Sequence, residues 1–510
     1  MRKKLIIMAG LTTMLLAGCR QESDNVMSYA FNDAIAFQKA DTSFVGEFEV
    51  FWNGMNSNYA LWDYELENGL DWDDVYRKYY PRFEELDEHM DSVTDDELRK
   101  LLNEVVAPLH DGHLYIEFLN LNTGNFIGTS PSGQRVVAER KEEVIATDNW
   151  IPSMDYYNDN GKVLEMRHAS TDVIEEFKDE WTTYIEKQIT ELEQKSGRTS
   201  DEEERLNAFR SADEELEQIL KTKDISAYNQ FVLRYEWLHI PNLAPINANL
   251  YEQPLEITYA LLEGNIAYLT FNHFHMSAYL YPIYTEDIFG QPSGLTNTVI
   301  ERIRDTWDGW FSAIQELHRS GELGGVIIDI RSNGGGMMTD YQYALGALLP
   351  SGGHYSLNAR FKRGPGRFDY SPIMPQTMPT LESEHETITE PVVVLCNCNS
   401  VSMAEITSMG AKVLENGTLI GTRTWGGCSA LSSSAYYSQN YAGHVGIEKV
   451  TPVYCYIPQE VTFSLLDGKI LEGRGIEPDI EVAMDFDAWN KGKGPDSQLD
   501  RALQFIRTGN

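Results

Sequence analysis

Pro391 to Gly427 reads PVVVLCNCNSVSMAEITSMGAKVLENGTLIGTRTWGG, and the fold follows from how this stretch is parsed. The apolar run Val392-Val393-Val394-Leu395 is too short for most helices and predicts a buried strand. Small and polar residues follow, and Met403-Ala404-Glu405-Ile406 opens a helical pattern. Ser402 therefore falls where a strand gives way to a helix N-terminus. Backbone N–H groups are unpaired there and the helix dipole favours negative charge. An acyl-transfer nucleophile needs such donors for the oxyanion it generates. A serine before a helix can equally be a simple cap.

The text upstream predicts the sheet that this strand joins. Leu255 to Leu262 and Ile266 to Phe271 are β-rich runs joined at Glu263-Gly264-Asn265, a hairpin signal. Val299 to Leu317 is amphipathic and closes at Gly321, and Gly325 to Arg331 predicts another buried strand. Ser332-Asn333-Gly334-Gly335-Gly336 comes next, then a helical segment near Tyr341 to Leu349. Alternating helices and strands imply an α/β core with a partly parallel sheet. Functional loops on such sheets lie beyond the carboxyl ends of the strands. The triple-glycine loop and Ser402 both satisfy that rule, which makes them neighbours. The glycines fit no phosphate-binding pattern, and offer a backbone that can approach a ligand closely.

Composition narrows the function classes. A chain of 510 residues predicts two or three folded units, and 42% hydrophobic residues supply real cores. The net charge of −37 leaves no excess of Lys and Arg to neutralise phosphates, which argues against nucleic acid as a partner. At the N-terminus, basic Arg2-Lys3-Lys4 precedes the apolar run Leu5 to Leu16 and then Leu16-Ala17-Gly18-Cys19. The run is too short for a permanent membrane span and predicts an export signal. Its ending resembles a bacterial lipobox, which implies cleavage before Cys19 and lipid attachment to that cysteine, with Arg20 to Val26 as tether.

Cys396 and Cys398 alternate on a strand and should pack on one face; a Cys428–Cys455 bridge is conceivable. Residues 28–117 read as mostly helical, with Phe48, Phe51, Trp72, Val75, Tyr76 and Tyr79 at helical spacing. Pro108 and Gly112 end the last of these helices, so His113 lies at a helix–turn–strand junction. From Thr171 to Leu220 the text is acidic and helical. Gly197 breaks it, and Thr199 with Glu202 offers a capping box for a second helix. An acidic helical hairpin is expected, its charges a solvated face.

Four blocks then appear in order: Ile328-Asp329-Ile330-Arg331-Ser332-Asn333-Gly334-Gly335-Gly336, Asn399-Ser400-Val401-Ser402-Met403-Ala404-Glu405, Gly421-Thr422-Arg423-Thr424-Trp425-Gly426-Gly427, and Leu471-Glu472-Gly473-Arg474-Gly475-Ile476-Glu477-Pro478-Asp479. With Asp111-Gly112-His113, they resemble the tail-specific, or C-terminal-processing, serine peptidase family. The processing branch of that family uses a lysine base, and here Gly427 occupies the lysine position. The wording is instead similar to the tricorn branch, which employs Ser, His and Glu. The resemblance implies Ser402 as nucleophile, His113 as general base, Glu472 as the family's glutamate, and the backbone N–H groups of Gly336 and Met403 as oxyanion hole. The tricorn branch carries a serine immediately before its histidine, where this chain has Gly112. His110, His273 and His275 are rival bases. Phe118 to Pro254 has no PDZ pattern.

The resemblance implies an α/β chain (α+β overall), with a mixed β-sheet and helices in a ClpP/crotonase-like protease core. A helical N-terminal domain and an acidic helical insertion precede that core. The expected division is 1–18 lipoprotein signal peptide, 19–27 tether, 28–125 helical domain, 126–254 middle region with the acidic hairpin, 255–490 catalytic core and 491–510 C-terminal helix. The expected function is an exported, lipid-anchored serine endopeptidase of the bacterial cell envelope, acting on peptide or protein substrates with no metal or cofactor. The competing readings are a degenerate family member that binds peptides or hydrophobic ligands, and a metal site on His110 and His113.

Overall fold

Every residue of the Val392–Cys396 and Gly325–Asp329 strands is buried, as a parallel sheet covered on both faces requires. In this computed structural model, residues 42–509 are described apart from 148–149, 252–253, 365, 430–443 and 459. Cys19 and the expected signal sequence lie outside the described residues.

Two compact units make up the fold, and they cut across the linear divisions expected from sequence. One combines Ile145–Ser356, Thr377–Thr424 and Ile476–Asn510. It contains a seven-stranded sheet running from Ile480–Glu481 through Gly417–Gly421, Val392–Cys396, Gly325–Asp329, Ile266–Phe271 and Glu256–Leu262 to Val163–Ser170. The first five strands are parallel neighbours and the last two pair antiparallel, which gives a mixed sheet. The antiparallel hairpin turns where expected, with Gly264 and Asn265 both at positive φ. Helix Ser497–Thr508 covers the sheet, with Leu499, Ala502 and Leu503 packed among Val393, Leu395 and Ile420. Helix Met403–Lys412 packs on the same pair of strands, Val392–Cys396 and Gly417–Gly421.

A buried ionic knot joins the Gly325–Asp329 strand to the start of the C-terminal helix. Fully buried Arg331 donates to Asp329 Oδ1 through Nε at 2.8 Å and to Asp496 Oδ1 at 3.0 Å and Gln498 Oε1 at 2.9 Å through Nη1. Tyr268 donates to Asp329 Oδ2 at 2.8 Å, and the guanidinium lies 4.8 Å from the Trp150 ring centroid. Removing one member of such a buried network costs about 3–5 kcal/mol, because the remaining charge loses its partner.

The acidic helices Val173–Gln194 and Ser200–Thr222 belong to this unit and pack on each other. Gly197 turns between them at positive φ. The capping box is formed: Glu202 N–H donates to Thr199 Oγ1 and Thr199 N–H to Glu202 Oε2 at 3.0 Å. Their buried faces carry Trp181 and Ile185 on one helix and Leu206, Phe209 and Leu216 on the other.

The segment near Tyr341 to Leu349 departs from the expected helix. It forms two short 3-10 turns, Met338–Tyr343 and Leu345–Leu348, broken at Ala344 with φ −114° and ψ −111°. A tertiary bond explains the break. Trp307 Nε1–H donates to the Tyr343 carbonyl at 2.8 Å, so that carbonyl is taken from helical pairing.

The other unit combines Met1–Val144, Leu357–Gln376 and Trp425–Gly475. Helices Phe44–Asn58, Trp72–Glu88 and Asp95–Val106 surround an antiparallel sheet ordered His444–Val445, Val453–Tyr456, Tyr115–Leu119, Phe126–Thr129. The expected aromatic stripe is core: Phe48 stacks on Phe83 at 4.5 Å and Phe51 meets Phe118 edge-on at 5.6 Å. Thr94 caps the last helix by accepting from Glu97 N–H. Ile116 pairs with Cys455, which carries the strand after His113 against residues more than 300 positions later. Cys428 and Cys455, like Cys396 and Cys398, are buried, and the conceivable disulfide does not form among the described residues.

Candidate active site

The serine turn begins at the carboxyl ends of two adjacent parallel strands. The loops leaving Gly325–Asp329 and Val392–Cys396 are laced together: Ser332 N–H donates to Asn397 Oδ1 at 2.9 Å, Ser400 Oγ–H to the Ile330 carbonyl at 2.8 Å, and Val401 N–H to the Asn333 carbonyl at 3.0 Å. Ser402 then occupies φ 58° and ψ −116° at the N-terminus of helix Met403–Lys412. Ordinary caps in this protein are different. Thr94 has φ −86° and Thr199 φ −74°, both extended, as capping geometry prefers. A serine at positive φ costs about 1–3 kcal/mol and persists only where its surroundings over-determine it. A sharp strand-to-helix turn of this kind presents a nucleophile's oxygen clear of the sheet.

Those surroundings are visible. Buried Glu405 accepts from Ser402 N–H at 3.3 Å through Oε2 and from Thr424 Oγ1–H at 2.6 Å through Oε1. Thr424 Oγ1 in turn accepts from Ile476 N–H at 2.7 Å. Two of the sequence blocks thus brace the turn from behind. On the other side Gly335 presses against the serine. A Cβ built there would lie 2.5 Å from Ser402 Cβ and 2.8 Å from the Val401 oxygen, so no side chain fits.

The glycine loop is held as a short parallel extension of the sheet. Phe274 N–H donates to the Gly335 carbonyl at 2.8 Å and Met337 N–H to the Phe274 carbonyl at 2.8 Å. Asn333 accepts from Gly335 N–H at 2.8 Å and donates to the Phe271 carbonyl at 2.7 Å. Gly336 is exposed, and neither its N–H nor that of Met403 donates to an acceptor among the described residues. Of the rival bases, His273 belongs to this unit: its ring lies beside Gly334, and burial lowers its basicity against the opposing Gly335 backbone.

The histidine turn lies in the other unit. Helix Asp95–Val106 ends before Pro108, and Asp111, wholly buried, accepts from both His113 N–H and Leu114 N–H at 2.7 Å through Oδ1. The His113 side chain is 10% exposed, with Nδ1 3.8 Å from Glu472 Oε1. Glu472 is fully buried and accepts from Gly112 N–H and Ser429 N–H, each at 2.5 Å. Burial would raise its carboxyl group, but His113 opposite and these N–H donors outweigh burial and hold it below the usual glutamate range.

Gly112 has a positive reason for being glycine. A Cβ there would lie 2.4 Å from the Gly426 oxygen, 2.5 Å from Gly427 Cα and 2.7 Å from Glu472 Oε1. No side chain, a serine's included, fits at this position, and the backbone N–H of Gly112 serves Glu472 directly. Gly427, at the lysine position of the processing branch, is part of this close packing. His110 is engaged elsewhere, with Nδ1 2.6 Å from buried Glu65 Oε2.

The expected residues therefore fall into two sets. Ser402, Met403 and Gly336 share one unit, while His113 and Glu472 share the other. The strand–turn–helix at Ser402, braced by the glycine loop, lies within residues 265–482, which match the profile of peptidase family S41. The S41 match includes Glu472 but not His113, whose position is N-terminal to it. Over 188 residues the chain is 29% identical to the tricorn protease of Thermoplasma volcanium, covering 36% of this chain and 14% of that much longer relative. A crystal structure of a Parabacteroides merdae protein assigned as a peptidase shares the fold. The likeness covers 92% of this chain and 98% of that one, at 17% identity and a TM-score of 0.51.

Three residues that hold the candidate site were missed in the sequence. Glu405 stands three positions after Ser402, a capping-box spacing that could have been read. Asn333 two residues before Gly335 is an Asx-turn signal. Asp111 had no signal beyond its adjacency to Gly112.

Proposed function

We propose that the protein is a serine-type peptidase of the tail-specific S41 family, tricorn-like in its choice of residues, acting on peptide or protein substrates. Ser402 is the nucleophile, His113 the general base, and Glu472 the carboxylate that orients and stabilises the imidazole. The His113 ring takes the Ser402 Oγ proton as Oγ bonds to the scissile carbonyl carbon. The carbonyl oxygen becomes an oxyanion, received by the N–H groups of Gly336 and Met403. His113 then returns the proton to the leaving amine, and water repeats the sequence to release the acyl group. Each oxyanion donor is worth about 2.7–4 kcal/mol.

The observation that carries this reading is Ser402 at φ 58°, at a helix N-terminus with Gly335 against it. A mere cap has no need of that conformation. Ser402→Ala should lower peptide hydrolysis by about 10⁴-fold or more and abolish labelling by a fluorophosphonate. Retained hydrolysis in that variant sinks the proposal. If His273→Ala abolishes activity while His113→Ala does not, the base is His273 instead.

We further propose that the chain is exported and anchored to the bacterial envelope by lipid on Cys19. Cells fed labelled palmitate should incorporate it into the protein, and Cys19→Ala should eliminate the label. Equal incorporation in that variant overturns the anchor.

A further inference from the structure

Three buried carboxyl groups crowd the histidine turn, and the proposed mechanism uses one of them. Glu65, Asp111 and Glu472 are all fully buried. Glu65 is satisfied by the Tyr59 hydroxyl, which donates at 2.7 Å, and by His110, whose N–H donates at 2.7 Å and whose Nδ1 lies at 2.6 Å. Glu472 has two N–H donors and His113. Asp111 is different. Its Oδ1 accepts two N–H groups, while its Oδ2 is buried with no partner among the described residues.

We propose that Asp111 is a positioning residue for His113: one oxygen clamps the histidine backbone, and the other carries a proton, leaving the negative charge of the turn on Glu472. This rests on the reading of His113 as base. A buried carboxylate oxygen with no donor is costly, and protonating it removes the charge where no group compensates it. Two ionised carboxylates in one buried turn would also repel, so one of them keeps its proton. The donors decide which. The titratable groups that face Asp111 are Glu472, His113 and Tyr59. Burial, and then the Glu472 charge, push Asp111 up to about 8, although His113 opposes the shift.

The sign of the pH dependence follows. The folded protein keeps the Asp111 proton up to about 8, whereas an unfolded aspartate releases it near its ordinary value of 3.8. Stability therefore falls as pH rises between those values and levels off above them. Asp111→Asn keeps an acceptor for His113 and Leu114 and cannot ionise.

The test compares wild type, D111A and D111N of the full chain. D111A should lose at least tenfold in kcat/KM, and D111N should recover most of that loss. D111N should also melt above wild type, by a margin that widens from pH 5 to pH 8. Wild type should lose activity above about pH 8, as Asp111 releases its proton, and D111N should lose less. The proposal is overturned if D111N is as inactive as D111A, or if its margin in Tm is the same at both pH values. Fluorophosphonate labelling separates the two levels. An unlabelled, inactive wild type refutes the peptidase reading, while the melting comparison still decides the protonation of Asp111.

Discussion

Ser402 is held chiefly by the shape of its backbone, whereas His113 is held chiefly by carboxyl groups. Around the serine the restraints are mainly backbone: a positive φ, a glycine with no room for a Cβ, and two loops bonded across parallel strands, with Glu405 accepting from the Ser402 N–H. Around the histidine they are carboxyl groups, one clamping the backbone and one facing the ring. A nucleophile must sit at one point in space, and rigid covalent geometry fixes a point. A base must change protonation during the reaction, and nearby carboxyl groups can stabilise the charged ring when it forms. Changes of pH should therefore strike the histidine turn harder than the serine turn.

The most damaging change to that contrast is on the charged side. Glu472→Gln preserves volume but supplies an amide where three donors converge. It should lower kcat by about 10⁴-fold, as the corresponding substitution does in a Ser-His-Asp triad. A loss under tenfold, with fluorophosphonate labelling unchanged, would show that His113 is oriented by shape after all. A smaller effect is expected on the steric side. Gly335→Ala adds one methyl group in contact with Ser402 and should cost about 10²-fold in kcat through displacement of the nucleophile. Overpacking should cost a further 1–3 kcal/mol or so of stability. That loss should be the same at pH 6 and pH 8, and a strongly pH-dependent loss would break the comparison.

Much of the serine half was legible in sequence, because its logic is local. Val392–Leu395 and Gly325–Asp329 are apolar enough to be strands buried on both faces, and their following loops carry the glycines and the serine. The capping box at Thr199 was equally readable, since its partners are three residues apart. The histidine half was legible only by resemblance. Gly112 meets Gly426, Gly427 and Glu472, which are more than 300 residues away, and no local pattern encodes that packing. The same reason explains the 3-10 turns after Met337: a tryptophan on a distant helix takes the Tyr343 carbonyl. The position of Asp111 in a turn was visible, but its competition with Glu472 arises only in the folded chain.

The ionic knot at Arg331 bears on the order in which the sheet is secured as the chain is made. Arg331 follows directly on the strand that delivers the glycine loop, yet Asp496 and Gln498, which complete its coordination, are synthesised 165 and 167 residues later. A nascent chain that has reached Asn399 and Ser402 can form the parallel strands but leaves that guanidinium short of acceptors. Synthesis through Gln498 supplies them. The scaffold under the serine turn is thus sealed only once Asp496 has been made, and a truncation that removes Asp496 strikes the middle of the sheet.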